Sequence, residues 1–166
     1  MSDSHLIVRP ARKADWETMI AIADRAFLPI RRTTRAALGD LISDVLYPAG
    51  DERSKGLEVR RFLETTPENA LVCESGGKIV GFLTYRIDGA IGTISNNGAD
   101  PENHVPGTGS AMYRAVMEIF RAKGCKVAKV MTGLDDVFAP ARRAYQKAGF
   151  REHLEHVTYY CDLTES

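Results

Sequence analysis

The strongest constraint on the fold is a run of three apolar segments in the middle of the chain. The first two, residues 70–74 and 79–86, flank the turn Ser75–Lys78, whose two glycines favour a tight β-hairpin. A third segment, residues 91–99, becomes rich in asparagine and glycine toward its end. The pattern predicts a hairpin followed by a further strand.

Helical patterns precede these strands. A short strand is predicted at residues 6–8, and Asp15 then stands where it can cap a helix with one apolar face. The stretch 29–69 is less regular and predicts two helices, at residues 35–46 and 57–63, separated by a loop. The apolar face of the first helix contains Trp16, Met19, Ile20, Ala23 and Phe27.

Helices and strands alternate after the central segment. The loop 104–109 opens a helix that ends at Lys123-Gly124, as a glycine after a basic last turn predicts. Residues 127–131 predict a compact buried strand, Pro140 the first turn of another helix, and residues 157–161 a last strand. The apolar stripe of the first of these helices contains Met112, Ala115, Val116, Ile119 and Phe120. The mixture indicates one α/β domain.

Composition excludes several classes of protein. Lys plus Arg and Asp plus Glu both number 22, so no net field attracts nucleic acid or an anionic membrane. No apolar run approaches the ~20 residues of a membrane-spanning helix, and residues 1–5 show no signal-peptide pattern. Cys73, Cys125 and Cys161 are far apart and form no CxxC pair, which favours reduced thiols. We therefore expect a cytoplasmic protein without nucleic-acid or membrane partners.

The segment 99–110 carries the most chemical information. A strand ends there in a glycine-containing loop that runs into a helix N-terminus, and the free amides and helix dipole suit a phosphate or pyrophosphate. A glycine-rich turn that merely starts a helix has the same pattern, so the loop alone leaves both interpretations open. It is not a P-loop, because no Gly-Lys-Ser/Thr follows. It is not a dinucleotide fingerprint either, because Met112 occupies the place of the third glycine.

Two motifs together resemble the GNAT acetyltransferase superfamily. The stretch Ala99–Gly109 resembles its coenzyme A loop, and Ala141–Phe150 resembles its Ala-x-x-x-Tyr-x-x-x-Gly-Phe helix. The order of elements also fits over nearly the whole chain, except residues 29–69. The resemblance implies a single domain over residues 1–166 with the α/β GNAT acyl-CoA N-acyltransferase fold. A mixed central sheet of about six to seven strands flanked by helices is then expected.

The resemblance implies an acetyl-CoA site on the strand, loop and helix of residues 90–123. In the superfamily the fourth strand splays from the fifth, and the pantetheine arm enters the gap; residues 95–99 are suited to the necessary bulge. An N–H of Gly98 or Ala99 could stabilise the oxyanion of the tetrahedral intermediate. The implied cofactor-binding residues are Gly98, Ala99, Asp100, His104, Val105, Gly107, Thr108, Gly109, Ser110 and Arg142. No metal is expected.

Two residues of the loop depart from the family pattern. His104 replaces the usual Gln or Arg, and Pro106 removes one amide donor. We interpret both as tuning of pyrophosphate contact, because Gly107, Thr108 and Gly109 keep the loop shape and the helix start.

The resemblance places Tyr145, in the helical segment 138–150, beside the sulfur of coenzyme A. Since the leaving thiolate has a conjugate acid with a pKa near 8.5, a phenol can protonate it. A core tyrosine packed on its helix face is the alternative. No general base is assigned, because Thr93 stands near the position where histone-modifying members carry a glutamate.

The resemblance implies an N-acetyltransferase. It would move an acetyl group from acetyl-CoA to a primary amine of a small molecule, an amino acid derivative or a peptide N-terminus, by direct attack in a ternary complex. The alternative is a non-catalytic acyl-CoA-binding or regulatory module of the same fold, which His104, Pro106 and Thr93 favour and Tyr145 opposes. An unrelated nucleotide-phosphate binder has poor support. A homodimer is expected only because dimers are the commonest symmetric assembly.

Residues 29–69 are expected to decide the acceptor. Two basic clusters lie in this segment, Arg31-Arg32-Arg35 and Arg60-Arg61. They predict either solvated helix faces or recognition of an acidic acceptor by bidentate contacts. His153 and His156 lack a third ligand at suitable spacing, so a surface pair is expected there and not a metal site.

Overall fold

One five-stranded sheet forms the centre of this computed structural model, which describes residues 5–164. The strands lie in the order β1-β2-β3-β4-β5, with the first four antiparallel to their neighbours and β5 parallel to β4. They are β1 (Leu6–Pro10), β2 (Ala70–Ser75), β3 (Lys78–Asp88), β4 (Ile91–Ala99) and β5 (Val127–Val130). The α/β class and the mixed sheet agree with the sequence. The predicted six to seven strands are wrong for the described residues. Residues 1–4, in which no signal peptide is predicted, lie outside them.

The last predicted strand, at residues 157–161, is not formed. Residues 151–164 contain no helix or strand, and the Tyr159 side chain is 90% exposed. Within the described part of the chain β5 pairs only with β4, so the predicted burial of residues 127–131 is also wrong, and Met131 is 83% exposed. A sequence suited to a strand shows that a segment can join a sheet, but not that a sheet edge is available to pair with it.

Within residues 5–164, four α-helices flank the sheet. They are α1 (Trp16–Leu46), α2 (Ser54–Thr65), α3 (Thr108–Ala122) and α4 (Ala139–Lys147). The helix predicted at residues 35–46 is the second part of α1, in which Gly39 adopts a φ of 80° and breaks the helical geometry into two pieces. None of these helices, within residues 5–164, has both the length and the apolar character that crossing a membrane requires.

Helix α1 begins where the sequence predicts, but Asp15 does not cap it. Its carboxylate accepts hydrogen bonds from the Arg9 guanidinium at 2.8 and 3.0 Å and from the Arg12 backbone N–H at 2.7 Å. The Arg9 guanidinium also donates to Glu74 on β2. These bonds, above all those from Arg9, hold the pKa of Asp15 below its usual value and tie the start of α1 to the sheet.

The two faces of the sheet carry separate apolar cores, because successive strand residues point to opposite sides. One core joins the sheet to α1 and α2 and contains Met19, Ile22, Ala23, Val59, Leu63, Ala70, Val72 and Phe82. The other joins it to α3 and α4 and includes Leu83, Tyr85, Ile94, Met112, Tyr113, Val116, Phe120 and Tyr145. The stripe predicted on α3 is therefore buried at its centre. Gly92 lets Phe120 approach β4, since a Cβ there would lie 2.4 Å from ring atoms.

Candidate functional site

Strand β5 ends partway along β4, and beyond this separation the edge of β4 is unpaired; we call the space beside it the gap between β4 and β5. Their parallel pairing ends at Ile94 and Val130, whereas β4 continues beside β3 as far as Ala99. A bulge at Ser95 coincides with the separation, because the residues before and after it pair with consecutive residues of β3. Residues 95–99 therefore have one free edge. The free edge and the bulge lie in the segment for which the sequence predicts them.

Three side chains form a hydrogen-bonded chain against this free edge. The Tyr113 hydroxyl on α3 donates to Oδ1 of Asn97 at 2.8 Å, and Nδ2 of Asn97 donates to the Tyr145 hydroxyl on α4 at 2.8 Å. Both tyrosines are buried, and their ring centroids lie 5.1 Å apart. Since the Tyr145 oxygen accepts within this chain, its own proton is left to donate to another group.

Burial sets the protonation of both phenols. It disfavours the phenolate and raises the pKa of Tyr113 well above its ordinary value, with the proximity of Tyr145 adding to the effect. Burial also raises the pKa of Tyr145, although the hydrogen bond from Asn97 opposes part of that rise. At neutral pH Tyr145 is therefore protonated and can act as an acid.

Sequence reasoning missed the role of Tyr113 and included Asn97 only in the segment 95–99 suited to a bulge. Tyr113 lies on the buried face of α3, where its position signals a core residue. Only the fold brings it within reach of Asn97 and Tyr145.

The loop after β4 is anchored by Asp100. Its buried carboxylate accepts hydrogen bonds from Arg25 at 2.9 Å, from the Asn103 amide at 2.9 Å and from the Glu102 backbone N–H at 3.0 Å. Burial opposes ionisation, but these bonds outweigh it and hold the pKa of Asp100 below its usual value. The side chain of this predicted cofactor residue is thus engaged within the protein and shapes the loop.

Helix α3 begins with unused backbone donors. Gly107 precedes it with a φ of 88°, a conformation that favours glycine, and the Thr108 hydroxyl donates to the Val105 carbonyl at 2.7 Å. Within residues 5–164 no acceptor bonds the backbone N–H of Gly109 or Ser110, and the first turn carries no acidic residue. Free amides at the positive end of a 15-residue helix can bind an anion.

The other predicted cofactor residues divide between the gap and its surroundings. Gly98 and Ala99 lie on the free part of β4, and His104 is exposed on the loop. The Arg142 guanidinium donates to the carbonyls of Gly133 at 2.7 Å and Asp135 at 2.9 Å. Arg142 therefore closes the loop that follows β5.

A second opening lies on the other face of β4. It is a cavity of about 600 Å³ between the connection of α1 to α2, α2 itself and the bulge. Arg31 and Arg61 from the two predicted basic clusters line it. Arg35 instead bonds Asp51 and two further aspartates, and Arg60 bonds Glu17. Each basic cluster thus contributes one arginine to the cavity lining and one to ion pairs elsewhere.

The described residues contain no group of three or more His, Cys, Asp or Glu side chains placed to hold a metal ion. His153 and His156 are both exposed.

Asp100 gives a testable link between loop geometry and stability. We expect Asp100→Asn to lower the free energy of unfolding by about 1–3 kcal/mol at neutral pH, because buried donors lose a charged acceptor. The folded-state pKa of Asp100 lies below its unfolded value, so this stabilisation is present above about pH 4 and disappears as the pH falls through the folded pKa. Urea unfolding of both proteins at neutral and acidic pH measures the difference.

Glu102→Gln is the matched control for Asp100→Asn. The Glu102 carboxylate lies 3.6 Å from the same Arg25 guanidinium, but its side chain is 69% exposed. We expect little change, since exposed ion pairs contribute little. Equal losses in the two variants, or a loss at Asp100 that does not vary with pH, would contradict this interpretation.

Comparison with known proteins agrees with the fold. The model of the acetyltransferase (GNAT) family matches residues 36–150. The chain is 27% identical over 146 residues to mycothiol acetyltransferase of Clavibacter michiganensis subsp. michiganensis (strain NCPPB 382), covering 87% of this chain and 41% of that protein. It therefore spans about two fifths of the length of this curated relative.

Two solved structures share the fold at low identity. The ribosomal-protein-S18-alanine N-acetyltransferase from Escherichia coli has a TM-score of 0.65 at 16% identity, with 96% of this chain and 86% of that chain covered. A GNAT family acetyltransferase from Brucella melitensis, in complex with acetyl-CoA, has a TM-score of 0.61 at 16% identity, with 90% and 84% covered. With the family model matching most of its length, this chain belongs to the acetyltransferase (GNAT) family.

Proposed function

We propose that this chain is an N-acetyltransferase that transfers an acetyl group from acetyl-CoA to a primary amine within a ternary complex. The observation that carries the proposal is the 2.8 Å hydrogen bond between Asn97, on the free edge of β4, and the Tyr145 hydroxyl. This bond supports the assignment of Tyr145 as an acid whose proton is available beside the free edge of β4. Free thiols at Cys73, Cys125 and Cys161 are consistent with a cytoplasmic location.

The residues around the gap fit acetyl-CoA. The unbonded amides of Gly109 and Ser110 would bind the pyrophosphate, as helix N-termini do. The free edge of residues 95–99 would pair with the pantetheine arm, with an N–H of Gly98 or Ala99 directed at the thioester oxygen. The acetyl-CoA complex of the Brucella melitensis protein, which has the same fold, supports this assignment.

The chemistry then follows from the position of Tyr145. The amine nitrogen attacks the thioester carbonyl carbon, a C–N bond forms, and the C–S bond breaks as the tetrahedral intermediate collapses. Tyr145 gives its proton to the departing sulfur, and the proton lost by the amine restores the phenol through water. Asn97 holds the Tyr145 oxygen so that the O–H can point toward the sulfur.

A non-catalytic acyl-CoA-binding module is the second candidate. Within the described residues no carboxylate lies on the free segment 95–99, and Thr93 pairs with β5 upstream of the gap. The amine would then have no protein base, which favours binding without turnover. The hydrogen-bonded Tyr145 favours the enzyme, since binding alone gives no use for its proton.

Calorimetry with acetyl-CoA, coenzyme A and ATP tests the ligand assignment. We expect acetyl-CoA and coenzyme A to bind with affinities in the micromolar range, about −8 kcal/mol, and ATP to bind more weakly. The contacts to the pantetheine arm are absent for ATP. Failure of acetyl-CoA to bind, or equal affinity for ATP, would refute the proposed cofactor site.

A further inference from the structure

We propose that the cavity beside the β4 bulge binds the acceptor, and that this acceptor is a primary amine carrying a carboxylate. The inference rests on the proposed function, because it takes the reacting amine to approach β4 from the face opposite Tyr145. Ser95 and Asn96 form the end of the cavity at the bulge. The next residue, Asn97, bonds Tyr145 on the other face. The cavity and Tyr145 therefore contact adjacent residues of β4 from its two faces.

Arg31 is held in the cavity wall, and only its Nε donates a hydrogen bond within the described residues. Its guanidinium stacks on the Tyr47 ring at 3.9 Å, and its Nε donates to the Ser54 hydroxyl at 3.0 Å. The nearest carboxylate, that of Glu58, lies 3.7 Å away, beyond hydrogen-bonding distance. The Arg31 side chain is only 11% exposed. Its terminal nitrogens are thus held in position, and within residues 5–164 their only carboxylate contact is this 3.7 Å ion pair with Glu58.

Two further guanidinium groups line the same cavity without a carboxylate partner. No carboxylate in residues 5–164 lies within 4.0 Å of Arg61 or Arg86, and the Arg86 guanidinium rests 4.6 Å above the Phe62 ring. Glu58 contributes the one negative charge of the lining, and Lys55 binds it at 2.9 Å. The lining is therefore cationic, and planar guanidinium groups match a carboxylate in a bidentate fashion.

Asn96 supplies an acceptor for the amine. It is 4% exposed, and its Nδ2 and backbone N–H both donate to the Thr84 hydroxyl oxygen, at 3.0 and 3.1 Å. Within residues 5–164 its Oδ1 has no hydrogen-bond partner. A buried carbonyl oxygen without a partner is unfavourable, and an N–H of a bound amine would satisfy it. The cavity thus combines an amine acceptor at the bulge with cations farther out.

Matched acceptors test this class of substrate. We would compare 4-aminobutanoate with 4-aminobutanamide, which lacks the carboxylate, and a peptide amide beginning with two glutamates with its glutamine counterpart. We expect kcat/KM to be about tenfold or more higher for the acidic member of a pair, as one charge-assisted contact would give. A higher kcat/KM for the acidic member in only one of the two pairs shows whether the acceptor is a free amino acid or a peptide. Equal kcat/KM within both pairs would overturn the inference.

Substitutions of the cavity arginines test whether these residues recognise the acceptor. Arg61→Gln and Arg86→Gln are expected to raise KM for the acidic acceptor about tenfold while kcat and the acetyl-CoA dissociation constant stay unchanged. Arg60→Gln is the control, because Arg60 is adjacent in sequence but bonds Glu17 outside the cavity. An equal rise in KM for Arg60→Gln and Arg61→Gln would show a nonspecific charge effect and overturn the inference.

A binding arm separates failure of this inference from failure of the proposed function. 4-Aminobutanoate, 4-aminobutanamide and the two peptides are titrated by calorimetry into protein saturated with coenzyme A, where no turnover occurs. Tighter binding of an acidic ligand than of its neutral counterpart supports the cavity assignment even without catalysis. Turnover of neutral amines without acidic preference refutes only the inference, whereas loss of acetyl-CoA binding refutes the proposed function.

Discussion

Replacement of Tyr145 by phenylalanine is expected to lower kcat for acetyl transfer about 10²-fold or more, because the sulfur then leaves without its acid. The acetyl-CoA dissociation constant should change little, since the ring and its packing remain. Burial raises the pKa of Tyr145, so the wild-type protein should keep its activity to a pH above the ordinary tyrosine range before an alkaline decline. Steady-state kinetics across this pH range, with calorimetry for binding, measure all three quantities.

Tyr113→Phe is the matched control for Tyr145→Phe. Tyr113 is the other buried phenol of the hydrogen-bonded chain, but its proton already bonds Asn97. We expect a fall in kcat of less than about tenfold, because the Tyr145 proton remains and only the support that Asn97 and the Tyr113 hydroxyl give to Tyr145 is weakened. Unchanged kcat for Tyr145→Phe, or equal losses in the two variants, would show that the cluster serves packing and not proton transfer.

A carboxylate at position 110 is expected to act on cofactor binding and on folding in opposite directions. It should weaken acetyl-CoA binding and stabilise helix α3. A glutamate in the first turn of α3 stabilises the helix through its dipole, by about 0.3–1 kcal/mol. The same charge would occupy or repel the anion site formed by the free amides of Gly109 and Ser110. We therefore expect Ser110→Glu to weaken acetyl-CoA binding at least about tenfold without loss of stability.

Ser110→Gln has the same size without the charge and provides the control for Ser110→Glu. Calorimetry gives the acetyl-CoA affinity of both variants, and thermal unfolding gives their stability. We expect the glutamine variant to retain most of the wild-type affinity. Equal weakening in both variants would indicate a steric effect, and unchanged binding in the glutamate variant would remove the pyrophosphate from this helix terminus.

Local patterns predicted the central elements because those elements are determined locally. The hairpin depends on Gly76 and Gly77, which adopt φ values of 56° and 77°, and the stripe of α3 depends on helical periodicity. Strand β4 spans Ile91–Ala99 as predicted. Chain order and these motifs therefore sufficed to place the candidate cofactor loop between β4 and α3.

The errors arise where tertiary contacts decide. Asp15 has the sequence of a helix cap, but Arg9 and Arg12 occupy its carboxylate. Residues 157–161 have the β-branched and aromatic composition of a strand, but no sheet edge receives them in the described structure. Periodicity detects a suitable face of an element, and it carries no information on whether a partner is present.

The candidate site was predictable only in part for the same reason. Tyr145 was found through its motif, whereas its link to Tyr113 through Asn97 joins residues 16 and 48 positions apart. Likewise, no sequence pattern separates Arg61, which lines the cavity, from Arg60, which binds Glu17. Adjacent arginines on a helix differ only in the direction that the fold gives them.

The reaction that we propose is acetyl transfer from acetyl-CoA to an amine at the gap between β4 and β5. The most direct measurement is thiol release from acetyl-CoA in the presence of a panel of primary amines, with the product identified by mass spectrometry. We expect amine-dependent release of coenzyme A with formation of the corresponding acetamide. Binding of acetyl-CoA without release of thiol for any amine in the panel would contradict it and favour the non-catalytic module.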